Sequence, residues 1–322
     1  MAKVFLCAPL LVLLAALAAS PQQPAGQEPI DDSSLIKVDV NLVNVLCTVH
    51  DKHGGLIGNL EKSDFRLFED GKEQEIKYFT RETDLPLTIG LLVDTSGSQE
   101  RLIEVERRAA SQFFEKVLRQ QDLAFLISFG KDSELLQDST SSPRLLQDGL
   151  AELRLNANVG GQFPGPVPTL QNTAGTVLYD AIYLASEEKL RQEVGRKVIV
   201  VITDGQDYGS KMSRNDAIEA AQKADAVIYS IYYSDAMFGG SDGDLKRMSE
   251  ETGGRVLKVD KNHSLDEIFQ EIQDDMRSQY AIAYSPTNGV KDGSYRKIEF
   301  KMSDKNYKVQ ARKGYYAMAD EY

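Results

Sequence analysis

The chain has 322 residues, 37 Lys and Arg against 49 Asp and Glu, a formal net charge of −12, and 42% hydrophobic residues. Such a length can hold two domains, while the acidic balance and the lack of any basic run argue against a nucleic-acid-binding face that releases counterions. Its two cysteines, Cys7 and Cys47, are too few for a disulfide framework.

Residues 1–18 join a short start containing Lys3 to the apolar stretch VFLCAPLLVLLAALA, and Ala16-Leu17-Ala18 fits the small-x-small cleavage rule. This is a secretory signal cut after Ala18. The apolar segment falls short of the roughly 20 residues that a spanning helix needs, and Cys7 lies too early for a lipoprotein cleavage site. Cleavage removes Lys3 and Cys7, so the mature chain is slightly more acidic and keeps Cys47 alone. Residues 19–34, mostly PQQPAGQEPIDDSS, have little to bury and are expected to form a flexible tether.

From Ile36 the pattern alternates as in a half-buried strand, through Ile36, Val38, Val40 and Leu42, then shifts by one to Val43, Val45, Cys47 and Val49. That step predicts a bulge or a break between two strands. Gly54-Gly55 marks a turn, and DFRLFE (64–69) precedes Asp70-Gly71, a strong hairpin signal, with Ile76 and Tyr78 on the return strand.

Leu87 to Ser98, LTIGLLVDTSGS, is the stretch around which the rest is organised. The apolar run predicts a strand covered on both faces. Leu102, Val105, Ala109, Phe113 and Val117 then predict a helix. Asp94, Ser96 and Ser98 therefore fall in a strand-to-helix loop, where open α/β sheets bind ligands. A carboxylate with two hydroxyls suits a hard cation such as Mg2+, although the same residues also build ordinary turns. VIVVIT (198–203) is a second buried strand ending in Asp204-Gly205, and Thr176 opens a helical pattern through Val177, Leu178, Ala181, Ile182 and Ala185, where its simplest role is a helix cap.

DTSGS at 94–98, Thr176 before LYDAI and TDG at 203–205, in this order, resemble the von Willebrand factor type A domain over about residues 85–276. The resemblance implies a metal-ion-dependent adhesion site in which Asp94, Ser96, Ser98, Thr176 and Asp204 surround one Mg2+, or Mn2+, some directly and some through water. All five positions carry the family's residue types. It further implies one open coordination position that a partner's Asp or Glu fills.

Further strands are expected at 123–129, as a short edge at 134–136, at 227–232 and at 255–259, with helices at 143–153, after Ser213 and Asp216, near 244–251 before Gly253-Gly254, and after Ser264 with Glu267. Their succession predicts a doubly wound, mostly parallel α/β sheet. The Gly- and Pro-rich stretch 156–172 leads into Thr176 and is expected to overhang the site, as a variable loop or a selector of ligand.

After Arg277 the period returns to two, in Tyr280-Ile282-Tyr284, Ile298-Phe300-Met302 and Tyr307-Val309-Ala311, with Asn288-Gly289 and Asp292-Gly293 as hairpin turns. The expected organisation is a signal peptide (1–18), a tether (19–34), a β segment (35–84), the α/β domain (85–277) and a second β segment (278–318). Neither β segment is stable alone, so the two are expected to form one β-sandwich into which the α/β domain is inserted. GNLEKSDFRLFEDGKEQEI (58–76) with RKGYY (312–316) also resembles exported bacterial proteins in which an A-type domain sits between β segments.

The function these features imply is an exported protein-binding module for adhesion or assembly, in a periplasm, cell envelope or extracellular setting. It would capture an acidic side chain through the metal, with no catalysis. An Mg2+-dependent hydrolase or phosphoryl-transfer enzyme using Ser96 or Ser98 would need a base within reach. The three histidines, His50, His53 and His263, all fall in loops or turns away from the motifs, and no Gly-rich phosphate loop with a Lys is present. A structural envelope component with a stabilising metal is the remaining alternative. Asp207, just past Asp204, belongs either to an ordinary polar loop or to the surroundings of the metal.

Overall fold

The structure is a computed structural model that describes residues 42–82, 85–99, 102–155, 175–233 and 242–318, with backbone only for Glu82 and Ser98. The expected signal sequence and tether, the start of the first expected strand and the expected 156–172 loop lie outside the described residues.

The central sheet has six strands in the order β10-β9-β8-β5-β6-β7. These are β5 (Leu87–Asp94), β6 (Leu123–Phe129), β7 (Ser133–Thr140), β8 (Arg196–Thr203), β9 (Ala226–Tyr233) and β10 (Val256–Val259). All neighbours pair in parallel except β7, which runs antiparallel along β6 and is eight residues long rather than a three-residue edge. Every residue of β5 is buried. Helices α1 (Ile103–Val117), α2 (Pro143–Ala151) and α6 (Leu265–Arg277) cover one face, and α3 (Leu178–Leu184), α4 (Arg214–Lys223) and α5 (Gly243–Thr252) cover the other. Burial on both faces is what an uninterrupted β-branched run requires. Gly90 lets the Phe125 ring lie against β5, since a Cβ there would stand 2.4 Å from the ring.

Local signals set the helix ends. Ser213 with Asp216 and Ser264 with Glu267 form capping boxes at α4 and α6, and Gly253 closes α5 with φ of 96°. In α1 the helix phase differs from the expected one: Val105 is exposed while Glu106 is buried among Ile103, Ala109 and Phe113.

The two ends of the chain build two four-stranded antiparallel sheets, β13-β1-β11-β4 and β14-β12-β2-β3. The strands from the first end are β1 (Val43–His50), β2 (Phe65–Glu69), β3 (Lys72–Gln74) and β4 (Ile76–Glu82); those from the second are β11 (Gln279–Tyr284), β12 (Tyr295–Met302), β13 (Lys308–Ala311) and β14 (Gly314–Tyr316). One core unites them, with Val45, Cys47 and Tyr280 from the first sheet against Leu67 and Ile298 from the second. Burial pushes the Cys47 thiol far up from its usual range, so it acts as a small apolar group.

The Asp70-Gly71 hairpin forms, with φ of 48° and 79°, but its return strand is β3; Ile76 and Tyr78 lie in β4, which pairs with β11 in the other sheet. The C-terminal hairpins do not form: β11 pairs with β1 and β4, β12 with β2 and β14, and β13 with β1. Tyr280 and Ile298 bury themselves against N-terminal strands, and that burial outweighs the local turn signals. No described helix is long and apolar enough to cross a membrane.

Candidate metal centre

Chain order places β6 and β8 on opposite sides of β5, so the sheet switches direction beside Asp94. The crevice outside the carboxyl ends of β5 and β8 is the ligand position of such sheets. Asp94 ends β5 and Asp204 follows Thr203 at the end of β8, both buried.

Asp94 has no exposed surface. Its Oδ1 accepts the Ser96 N–H at 2.9 Å, and its Oδ2 accepts the Thr203 hydroxyl at 2.6 Å. The Thr203 Oγ1 in turn accepts the Gly205 N–H at 3.1 Å, and Asp204 Oδ1 accepts the Gln206 N–H at 3.1 Å. Burial pushes the Asp94 carboxyl up to about 6, and the nearby Asp204 charge adds to that shift; hydrogen bonds from Ser96 and Thr203 oppose it.

Backbone bonds join the three loops. Thr95 donates its N–H to Phe129 O at 2.7 Å, and Val177 donates its N–H to Gly130 O at 2.8 Å. Thr176 and Tyr208 exchange N–H···O bonds of 3.1 and 2.8 Å, which attaches the Thr176 segment to the loop after Asp204. Ser96 and Thr176 are buried beside these contacts, while the Ser98 side chain lies outside the description.

Thr176 does not cap α3. Val177 occupies the cap position without a side-chain bond, and the free N–H groups of the first turn are met from another segment. Asp207 Oδ1 accepts from Tyr179 N at 3.2 Å and from Ser210 Oγ at 2.6 Å, and Ser210 Oγ also accepts from Tyr179 and Asp180. Asp207 is thus a brace between α3 and the Asp204 loop. Thr203 and Tyr208 escape sequence reading because a strand-end threonine and a loop tyrosine carry no local mark. The Tyr208 ring is 61% exposed beside Thr176.

Glu106 is a third acid near the centre. It is fully buried, both carboxylate oxygens lack a hydrogen-bond partner among the described residues, and burial together with the Asp94 charge raises its carboxyl well above the ordinary range. Its only sequence signal is its position in the first turn of α1.

The assembled donors are carboxylate and hydroxyl oxygens, which match a hard divalent cation. Two carboxylates close enough to repel are relieved when such a cation lies between them. Among the described residues no group of three or more His, Cys, Asp or Glu could hold a metal.

A profile of the von Willebrand factor type A domain matches residues 88–271. Similar solved structures include the conserved hypothetical protein BatB from Bacteroides thetaiotaomicron, 20% identical over 59% of this chain and 99% of that one, with a TM-score of 0.46. Proximal thread matrix protein 1 from the mussel byssus, solved with a zinc-occupied MIDAS motif, is 14% identical over 65% of this chain and 50% of that one, with a TM-score of 0.49. A von Willebrand factor type A protein from Catenulispora acidiphila is 11% identical over 77% of this chain and 73% of that one, with a TM-score of 0.48. No curated protein matches the chain.

Proposed function

The chain belongs to the von Willebrand factor type A domain family, and we propose that it is an exported, metal-dependent protein-binding module. In this proposal Asp94, Ser96, Ser98, Thr176 and Asp204 hold one Mg2+ or Mn2+, and the partner supplies an Asp or Glu to it. The observation that carries the proposal is the meeting of two buried, mutually repelling carboxylates at the ends of adjacent central strands, among hydroxyls.

Two carboxylates cancel at most the charge of a divalent ion and the hydroxyls add none, so the bound ion supplies an electrophilic position for an external carboxylate. The protein's part is to fix the oxygens. Thr203 and the Ser96 N–H orient Asp94, and Asp207 with Tyr208 anchors the Thr176 segment to the Asp204 loop. With a net charge of −12 over the chain, the bound ion would be what attracts an acidic partner to this site.

A hydrolytic role is not favoured. His50 is engaged by Asp275 at 3.1 Å and His263 by Glu271 at 2.7 Å, on the side of α6 and the sandwich, so neither is placed to activate Ser96. The signal-like N-terminus supports an envelope or extracellular setting.

Calorimetry should detect uptake of Mg2+ or Mn2+, and Asp94→Ala should abolish it while circular dichroism stays unchanged. Pull-downs from envelope extract should capture a partner with Mg2+ and lose it in excess chelator or with Asp94→Ala. Capture that persists undiminished in chelator would overturn the proposal, and turnover of an ester or phosphate lost in Ser96→Ala would replace it with an enzyme.

A further inference from the structure

In this acidic chain, residues 291–313 are an exception, with eight Lys or Arg against three Asp or Glu. They form β12, β13 and their connection. The two strands follow each other in sequence but part into different sheets, leaving a cleft of about 680 Å3 between them.

Both walls of the cleft are strand edges. Among the described strands β13 ends its sheet, with β1 its only neighbour, and none pairs with the outer edge of β12 beyond Lys297, where β14 stops. Ile298 donates its N–H to Lys313 O at 2.7 Å, toward that outer edge. With the alternation of an antiparallel strand, the backbone groups of Phe300 and Met302 point the same way. They form a template for an added strand.

The floor is apolar. Phe300, Met302, Tyr307 and Val309 pack against the sandwich core yet remain partly exposed in the cleft. The rim is cationic: Lys301, Lys308 and Lys313 line it without ion-pair partners among the described residues, Lys301 with its Nζ 4.4 Å from the centre of the Phe68 ring, and the single acid there, Glu299, pairs with Lys297. Edge lysines also guard sheets against aggregation, but a guard does not account for core side chains left open between two edges, nor does it repel an acidic strand.

We propose that this cleft docks an extended acidic segment of a partner protein, in which acidic and apolar residues alternate. The segment adds as a strand along β12. Its apolar side chains cover Phe300, Met302, Tyr307 and Val309, and its carboxylates meet Lys301, Lys308 and Lys313. No divalent ion takes part, so this surface stands or falls apart from the metal centre.

The test uses the full chain in excess chelator and a fluorescein-labelled, end-blocked peptide of five Val-Asp repeats, followed by anisotropy and amide hydrogen exchange. The expected result is saturable binding, protection of the Phe300 and Met302 amides, and at least tenfold weaker binding to the Lys301→Glu/Lys308→Glu variant at unchanged melting temperature. Should that variant misfold, Lys301→Gln/Lys308→Gln should weaken binding in the same direction. The proposal is overturned by no binding or by equal binding of a peptide with five Val followed by five Asp. Equal binding of single-stranded DNA or anionic lipid vesicles would also overturn it, marking the strip as a general anion surface. Binding that appears only when Mg2+ replaces the chelator would overturn it as well, assigning the peptide to the metal centre.

Discussion

At the scale of single residues, two buried acids set the behaviour of the centre in opposite ways. Asp94 is pushed up to about 6 by burial and by Asp204, so on the proposed reading a proton would compete with the cation for it. Below about pH 6 the proton gains, and one pH unit lower the ionised fraction falls roughly tenfold. Calorimetric titration with Mn2+ should therefore give an affinity about tenfold weaker at pH 5 than at pH 7.5, with proton release largest near pH 6; a flat profile would show that Asp94 is not a ligand. Glu106 has no partner for either oxygen among the described residues, and burial raises its carboxyl well above the usual range. A carboxyl that is harder to ionise in the folded state stabilises the fold, relative to its ionised form, only at low pH; as pH rises past the ordinary Glu value of about 4.3, the unfolded state gains. Glu106→Gln should consequently raise the melting temperature at pH 7.5, and the gain should shrink as pH approaches 4.5. An unchanged or lowered melting temperature at pH 7.5 would mean that an unrecognised contact holds the carboxylate.

At the scale of elements, whatever is decided within a few residues is legible in the chain. The strands ending at Asp94 and Thr203, the capping boxes of α4 and α6, the glycine end of α5 and the Asp70-Gly71 hairpin all rest on neighbours in sequence. That is why the two acids of the centre could be found, since each directly ends or follows a buried strand. Features decided by distant partners are not legible. Thr176 looks like a cap, but Asp207 and Ser210 do that work from another loop. Val105 fits an apolar face, but the register of α1 turns it outward and brings Glu106 in. The C-terminal strands look like hairpins, yet Tyr280 lies across from Cys47 and Phe300 from Leu67. Because β1, β2 and β4 take their partners from β11, β12 and β13, the N-terminal strands keep only the β2–β3 hairpin without them. Two strands are marginal in water. Deleting residues 280–322 should therefore unfold residues 43–82, seen as rapid proteolysis of that segment; a soluble truncation with a cooperative melt through those strands would refute the shared sandwich.

At the scale of the whole molecule, the described residues of the sandwich and of the α/β part form one compact body. The junction has a chemical basis. Asp275 of α6 is buried and accepts from Arg255 Nε at 2.8 Å and from His50 Nε2 of β1 at 3.1 Å, while Arg255 also donates to Glu271 at 3.0 Å. Lys313 donates its N–H to Glu251 O in the last turn of α5 at 3.1 Å, and the Tyr316 hydroxyl donates to Glu219 of α4 at 3.3 Å. Inside the α/β body, α6 is fixed in turn by Phe269 stacked on Phe113 of α1 at 4.4 Å. A strain on α6 is thus felt both by the sandwich and by the helix that follows the DTSGS loop. Removing the Asp275 carboxylate leaves Arg255 with Glu271 alone and His50 without its acceptor. Losing one partner of a buried pair costs several kcal/mol, and the part-exposed Arg255 guanidinium reduces this to about 2 kcal/mol. Urea unfolding followed by tyrosine fluorescence, usable because the chain has no Trp, should show one transition for the natural chain. For Asp275→Ala the midpoint should fall by that amount, and the transition should broaden or split as the sandwich separates from the α/β body. A lower midpoint with an equally sharp single transition would mean that Asp275 stabilises α6 without coupling the two bodies, and the union would then rest on the Lys313 and Tyr316 contacts.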